Sequence, residues 1–212
     1  MGFELNPYDM CVANMDVDSK QCTIVWYVDD TKISHENEKV VTQVITKIEA
    51  KFGKMTVTRG KVHVFLGMNI TFHDDGTVSV KMKDYILEAI ADFRDDIIRN
   101  ATTPAKKNLF NIDMEGEPLN SGRRDNFHSI VAKLLYVSKR GRLDIHLAIT
   151  FLYIRMACST KQDWLKLKRV LEYLNGTLDK FLVLGADDIC MMKTWVDASY
   201  AVHPDRKSHT GI

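Results

Sequence analysis

Two adjacent carboxylates, Asp29 and Asp30, stand at the crest of the apolar run "IVWYV" and just before "TKI", and a third, Asp197, closes the apolar stretch of "TWVDAS". Carboxylates so placed suit hard cations. Mg²⁺ takes one or two protein carboxylates and fills its other positions with water and phosphate oxygens. Paired ions of this kind activate an attacking oxygen and stabilise a leaving one, the chemistry of nucleotidyl transfer and phosphodiester hydrolysis. Asp is also an ordinary turn residue, so on residue type alone a solvated acidic turn competes with a metal site. Asp74-Asp75, in "HDDG", is a further acid pair and reads as hairpin turn chemistry.

Other chemistries find little support. The seven histidines are scattered without an HxxxH pair, and Cys11, Cys22, Cys158 and Cys190 form no CxxC. That pattern argues against a zinc site or a disulfide framework and reads as reduced thiols in an intracellular protein, cytoplasmic or nuclear. Lys plus Arg number 29 against 28 Asp plus Glu, a formal net charge of +1, so a polyanion would have to be held by local basic patches. Lys139, Arg140 and Arg142, with Lys161, Lys166, Lys168 and Arg169, are the candidates, although each alone reads first as a solvated helix face. The 212 residues, 45% hydrophobic and 27% charged, have the composition of a soluble globular chain of one large or two small domains. "GFELNPYD" lacks the pattern of a signal peptide, and "LAITFLYI" is too short to span a bilayer.

The elements that must position the acids follow from periodicity. Thr23 to Val28 reads as a strand, Asp29-Asp30 as its turn, and Thr31 to Ser34 as the returning strand. Val41, Val44, Ile45, Ile48 and Phe52 recur at helical spacing before Gly53, which predicts a helix over 37–52. "KMTVTRG" alternates as a strand, and "VHVFLGMNITF" and "GTVSVKM" flank the "HDDG" turn. A short helix over 84–93 runs toward Pro104, and 105–122 is the best linker candidate. Three helical patterns follow, the last opening on a capping-box-like Ser159-Thr160 with Gln162 and Asp163. In it Trp164, Leu167, Val170, Leu171 and Leu174 form a stripe read as core. "KFLVL" and "MMKTWVDAS" read as two closing strands.

"YVDD" after an apolar strand, a helix, and "FLG" some thirty residues on together resemble the C-terminal half of the reverse transcriptase palm of retroelements. "ATTP", "FHSIVAKLLYVSKRGRLDIHLAI", "LKRVLEYLNGTLD" and "WVDASYAVHPDRKSHTG" follow in the order found in the Pol polyprotein of copia-type LTR retrotransposons. The resemblance implies an α+β architecture in three parts. Residues 1–72 would be the C-terminal part of the palm, 73–187 a thumb-like and helical connection region, and 188–212 the start of RNase H.

It also implies roles. Asp29 and Asp30 would be catalytic metal ligands of the polymerase, and Asp197 the first RNase H carboxylate. Tyr27 and Val28 would border the primer end, and Phe65, Leu66 and Gly67 would form the primer grip, its glycine admitting a nucleic-acid backbone. Two Mg²⁺ ions, an RNA template, a DNA primer and dNTP would be the cofactors and partners of the parent enzyme, beside the rest of the polyprotein. An earlier palm aspartate and the remaining RNase H carboxylates have no counterpart among the 212 residues. The expectation is therefore a fragment inactive by itself, with a non-catalytic nucleic-acid-binding remnant as the alternative.

Overall fold

A computed structural model describes residues 1–186, 191, 193–194 and 196–198. Contacts divide the chain into two compact units, 1–66 and 67–212.

The first unit is an antiparallel meander with one helix. Strands β1 (Glu4–Leu5), β2 (Val12–Val17), β3 (Lys20–Tyr27) and β4 (Asp30–Ser34) lie side by side in chain order. Asp18 and Ser19 join β2 to β3, both in left-handed conformation (φ +52° and +61°), as a two-residue hairpin matching the strand twist requires. Helix α1 (Glu38–Phe52) starts at Asn37, whose side chain accepts from the Lys39 N–H at 3.0 Å. It stops at Gly53, which has φ +90° and donates to the Glu49 carbonyl at 2.9 Å. Val40, Val44 and Ile48, four residues apart, put one helix face on Cys22, Ile24 and Ile33 of the sheet. Ile24 and Ile33 are cross-strand partners. A final strand, β5 (Val62–Phe65), ends the unit.

The second unit holds the larger core. Strand β7 (Val78–Lys81) pairs antiparallel with both β6 (Met68–Phe72) and β8 (Leu182–Leu184), Ile70 opposing Val80 and Val80 opposing Leu182. Helices α2 (Lys83–Asp92), α3 (Ser121–Arg140), α4 (His146–Ile154) and α5 (Lys161–Asn175) bury Ile86, Phe127, Ile130, Leu134, Ile149 and Leu152. The expected stripe of α5 is core throughout, from Trp164 at 2% exposed to Leu174 at 0%. Trp164 stacks on Phe93 at 4.4 Å between centroids. The capping box forms: the Thr160 N–H and hydroxyl both donate to the Asp163 carboxylate, at 3.0 and 3.2 Å.

Three expectations are corrected, and one strand was not foreseen. Residues 53–60, with "KMTVTRG" among them, carry no strand: the alternation is present but nothing pairs with it. The segment 105–122 is not a linker. Leu109 and Leu119 are buried, Pro118 bridges Thr160, and Leu119 N–H donates to the Ser159 carbonyl at 3.1 Å. Strand β2 was not foreseen, since "VANMDV" alternates only weakly. The closing strand expected over "MMKTWVDAS" is absent at Lys193, Thr194 and at 196–198; Met192, Trp195 and Ser199 lie outside the described residues. Most of 188–212, the expected RNase H start, lies outside them as well. Among the described residues no helix is long and apolar enough to cross a membrane.

Candidate metal hairpin and its cleft

The β3–β4 hairpin is fixed by five cross-strand pairs, from Thr23–Ser34 to Tyr27–Asp30. The last pair moves the turn one residue from its expected place: Val28 and Asp29 form it, and Asp30 is already the first residue of β4. Val28 takes φ +53° with 87% of its surface exposed. A β-branched residue is badly suited to that region, where its Cβ crowds the backbone. Strain held without any burial to compensate it is the kind found at functional sites.

The carboxylates themselves separate the two readings left open by residue type. A structural turn aspartate accepts from the backbone two residues on, as Asp75 does from the Thr77 N–H at 2.9 Å and hydroxyl at 2.7 Å. Those bonds, the backbone one foremost, hold Asp75 below the usual carboxylate range. Asp9 likewise accepts from the Cys11 N–H at 2.9 Å. Neither Asp29 nor Asp30 shows a side-chain hydrogen bond or ion pair within the described residues. Both are exposed. Their oxygens are available to an external cation.

Asp29 and Asp30 border a cleft of about 490 Å³ lying within the first unit. Its walls include Lys32 from β4, Val41 and Ile45 from α1, Arg59 from the irregular segment, and His63 and Phe65 from β5. Burial pushes the Lys32 ammonium below its ordinary value. Arg59 is tethered by a hydrogen bond to the Thr42 hydroxyl at 3.0 Å, and His63 Nε2 lies 2.7 Å from the Gly60 carbonyl oxygen. Sequence reasoning passed over Lys32 and Arg59, although Lys32, two residues after Asp30 in an alternating strand, shares its face by period alone.

The remaining expected site residues fall in different places. Tyr27 and Val28 are exposed at the hairpin crest. Phe65 lines the same cleft as the acid pair. Leu66 and Gly67 take φ +52° and +72°, so Gly67 belongs to a turn rather than to a strand. A Cβ there would meet the Tyr85 ring at 3.1 Å, which supplies a steric reason for glycine within the second unit. Asp197 is exposed, without the strand expected to present it.

Among the described residues no group of three or more Asp, Glu, His or Cys side chains is arranged to hold a metal. Two adjacent carboxylates match the donor chemistry of Mg²⁺ where phosphate oxygens complete the shell. The hairpin fits such an ion as part of a site rather than as a cage.

The expected basic surface is largely tied into the fold. Arg142 is 2% exposed and clasps Asp144 through two 2.9 Å bonds. Lys161 pairs with Glu117, and Lys168 with Asp95 at 3.3 Å. Lys166 donates to Gln162 at 3.1 Å, and Arg140 lies 4.0 Å over the Tyr136 ring. As a set these cations do not form a free stripe for a duplex.

No family model matches the chain. It is 26% identical over 194 residues to a transposon Ty5-1 protein of Saccharomyces cerevisiae, an overlap of 89% of this chain and 60% of that protein. The chain resembles a transposon protein along most of its length. It is also 28% identical over 192 residues to the uncharacterized mitochondrial protein AtMg00810 of Arabidopsis thaliana, covering 89% of this chain and 76% of that one. No solved structure matches. The likenesses support a transposon-encoded polyprotein as its origin, at modest identity, and the chain spans about 60% of the Ty5-1 protein.

Proposed function

We propose that this chain is part of a copia-type retrotransposon RNA-directed DNA polymerase, with the first unit carrying the hairpin half of its nucleotidyl-transfer site. The observation that carries the reading is the acid pair: exposed, unengaged by the protein, and beside a strained Val28 at the mouth of a cleft that also holds the cationic Lys32 and Arg59. Similarity to a transposon protein supports it.

In this reading Asp29 and Asp30 hold Mg²⁺, which when bound supplies charge stabilisation at the reacting phosphate. Tyr27 and Val28 flank the primer end, and Lys32 and Arg59 face the triphosphate with fixed positive charge. The Phe65-Leu66-Gly67 turn acts as primer grip. Positioning does most of the work, since the nucleophile is the primer's own 3′-hydroxyl. Asp197 belongs to the RNase H activity of the same polyprotein. Among the described residues no third carboxylate joins the pair, so the chain by itself is expected not to extend a primer.

The test is binding before activity. Mn²⁺ replaces Mg²⁺ and broadens nearby amide resonances, so titration should broaden 28–31 first, and Asp29→Asn with Asp30→Asn should abolish that. Broadening centred elsewhere, on Asp74-Asp75 for instance, sinks the assignment. Primer extension on poly(rA)/oligo(dT) with Mg²⁺ should give no product with the chain alone; product lost in Asp29→Asn would overturn the half-site.

A further inference from the structure

A second cleft lies wholly within the second unit, between one face of α5 and the segment following α2. It measures about 270 Å³, and five cationic side chains, Arg99, Lys106, Lys166, Lys168 and Arg169, line it against the single carboxylate of Glu172. Residues 162, 165, 166, 169 and 172 recur at helical spacing, so one face of α5 forms a whole wall.

The charges do not cancel. Glu172, its side chain 4% exposed, is neutralised by Arg99 Nε at 3.0 Å. Lys168 is occupied by Asp95, and Lys166 lies 3.9 Å from Asp163. Burial lowers the Lys166 ammonium against the opposing charge of Asp163, and the charge of Arg155 adds a smaller push in the same direction as burial. Arg169 and Lys106 remain without a carboxylate partner among the described residues. Arg169 Nη2 donates to the neutral hydroxyl of Thr103 at 2.9 Å, while its Nε is buried with no acceptor among the described residues. A charged donor desolvated and left unpaired is expensive, and native folds keep few of them.

An oxyanion in the cleft supplies the counter-charge that Arg169 and Lys106 lack. A phosphate group brings a charge near −2 and several strong acceptor oxygens, a match for one guanidinium and one ammonium. Pro104 and Leu165 add apolar wall beside the cations, against which a sugar or base can rest. The geometry points to a phosphate-binding pocket here, with Arg169 and Lys106 holding the phosphate group of a nucleotide or of a nucleic-acid strand end. It lies within one unit and depends on neither carboxylate of the β3–β4 hairpin.

Amide shifts of the full chain, titrated with inorganic phosphate, thymidine 5′-monophosphate, and oligothymidylate with and without a 5′-phosphate, test the pocket. Saturable shifts over 99–109 and 162–172 are expected. Lys106 is exposed and can be changed without disturbing the core, and Lys106→Gln should weaken binding roughly 5- to 10-fold, the weight of one charge-assisted contact. Arg169→Gln should do at least as much. Tightest binding of the mononucleotide marks a free-nucleotide pocket; preference for the 5′-phosphorylated strand marks a strand-end pocket; both bear the proposal out. Absence of saturable shifts with every phosphate probe, or affinity unchanged in Lys106→Gln, overturns it. Asp29→Asn should leave these shifts intact while removing Mn²⁺ broadening at the hairpin, so either reading can fail without the other.

Discussion

Replacing Val28 by glycine should stabilise the β3–β4 hairpin, a direction opposite to most substitutions of a large apolar residue. An L-residue in the left-handed region is strained by about 1–2 kcal/mol, and a branched Cβ lies toward the upper end. At 87% exposed, Val28 surrenders almost no burial when truncated. Against the relief stands glycine's greater freedom in the unfolded chain, about 0.5–1 kcal/mol. The balance is a gain of roughly 0.5–1 kcal/mol, or amide exchange slowed about 2- to 5-fold across the hairpin. Hydrogen exchange followed by mass spectrometry on peptides covering 24–33 measures it. Val28→Asn, which tolerates the same conformation without glycine's entropy, should gain at least as much. Faster exchange in both variants would show that the valine is comfortable where it stands and that this turn stores no strain for a function.

Other substitutions test the second unit. Asp144→Ala strands the Arg142 guanidinium, 2% exposed, and should lower stability by about 3–5 kcal/mol in urea denaturation; a loss under about 1 kcal/mol would mean the Thr177 carbonyl and hydroxyl suffice as acceptors. Burial pushes Asp144 up, but bonds from Arg142 and Tyr173 and the charges of Arg142 and Lys180 outweigh it, holding the carboxyl below its usual range. A depressed carboxylate stabilises fully above the unfolded value of about 3.9 and loses that as pH falls through its folded value, so Asp144→Asn should flatten the acid limb of stability against pH. Gly67→Ala, at φ +72° and 3.1 Å from Tyr85, should lose about 1–2 kcal/mol by thermal melting. Thr160→Ala removes one half of the α5 capping box and should lose about 1 kcal/mol.

What sequence reading could see was periodicity with a partner. Helix α1 and its glycine stop, the α5 stripe and the Asp75-Gly76 turn each combine a period with a local signal, and all stand within a residue or two of expectation. "KMTVTRG" shows why period alone misleads: alternation describes a chain able to pair, and no ladder reaches 53–60. Polar composition misled over 105–122, where a few apolar residues, Leu109 and Leu119 among them, anchor an otherwise hydrophilic strap. The hairpin turn was misplaced because propensity puts aspartates, not a valine, in a tight turn. The cations of the helical region were visible as types and spacing, but their carboxylate partners come from distant segments, as Lys168 and Asp95 do.

Two of the chain's acid pairs, Asp29-Asp30 and Asp74-Asp75, share residue type, adjacency and hairpin context yet differ in what the backbone asks of them. Asp75 spends its oxygens on Thr77 and so closes a five-residue loop between Phe72 and Val78. The hairpin at Asp29 needs no such service, since its register is set by five ladder pairs and its bend is forced through Val28. Nor does the core hold it: the buried cluster of that unit comprises Cys22, Val40 and Val44 with a few flanking residues, below the crest. Strand pairing therefore presents Asp29 and Asp30 rigidly while leaving their oxygens unused, which is what the proposed cation site requires of the chain.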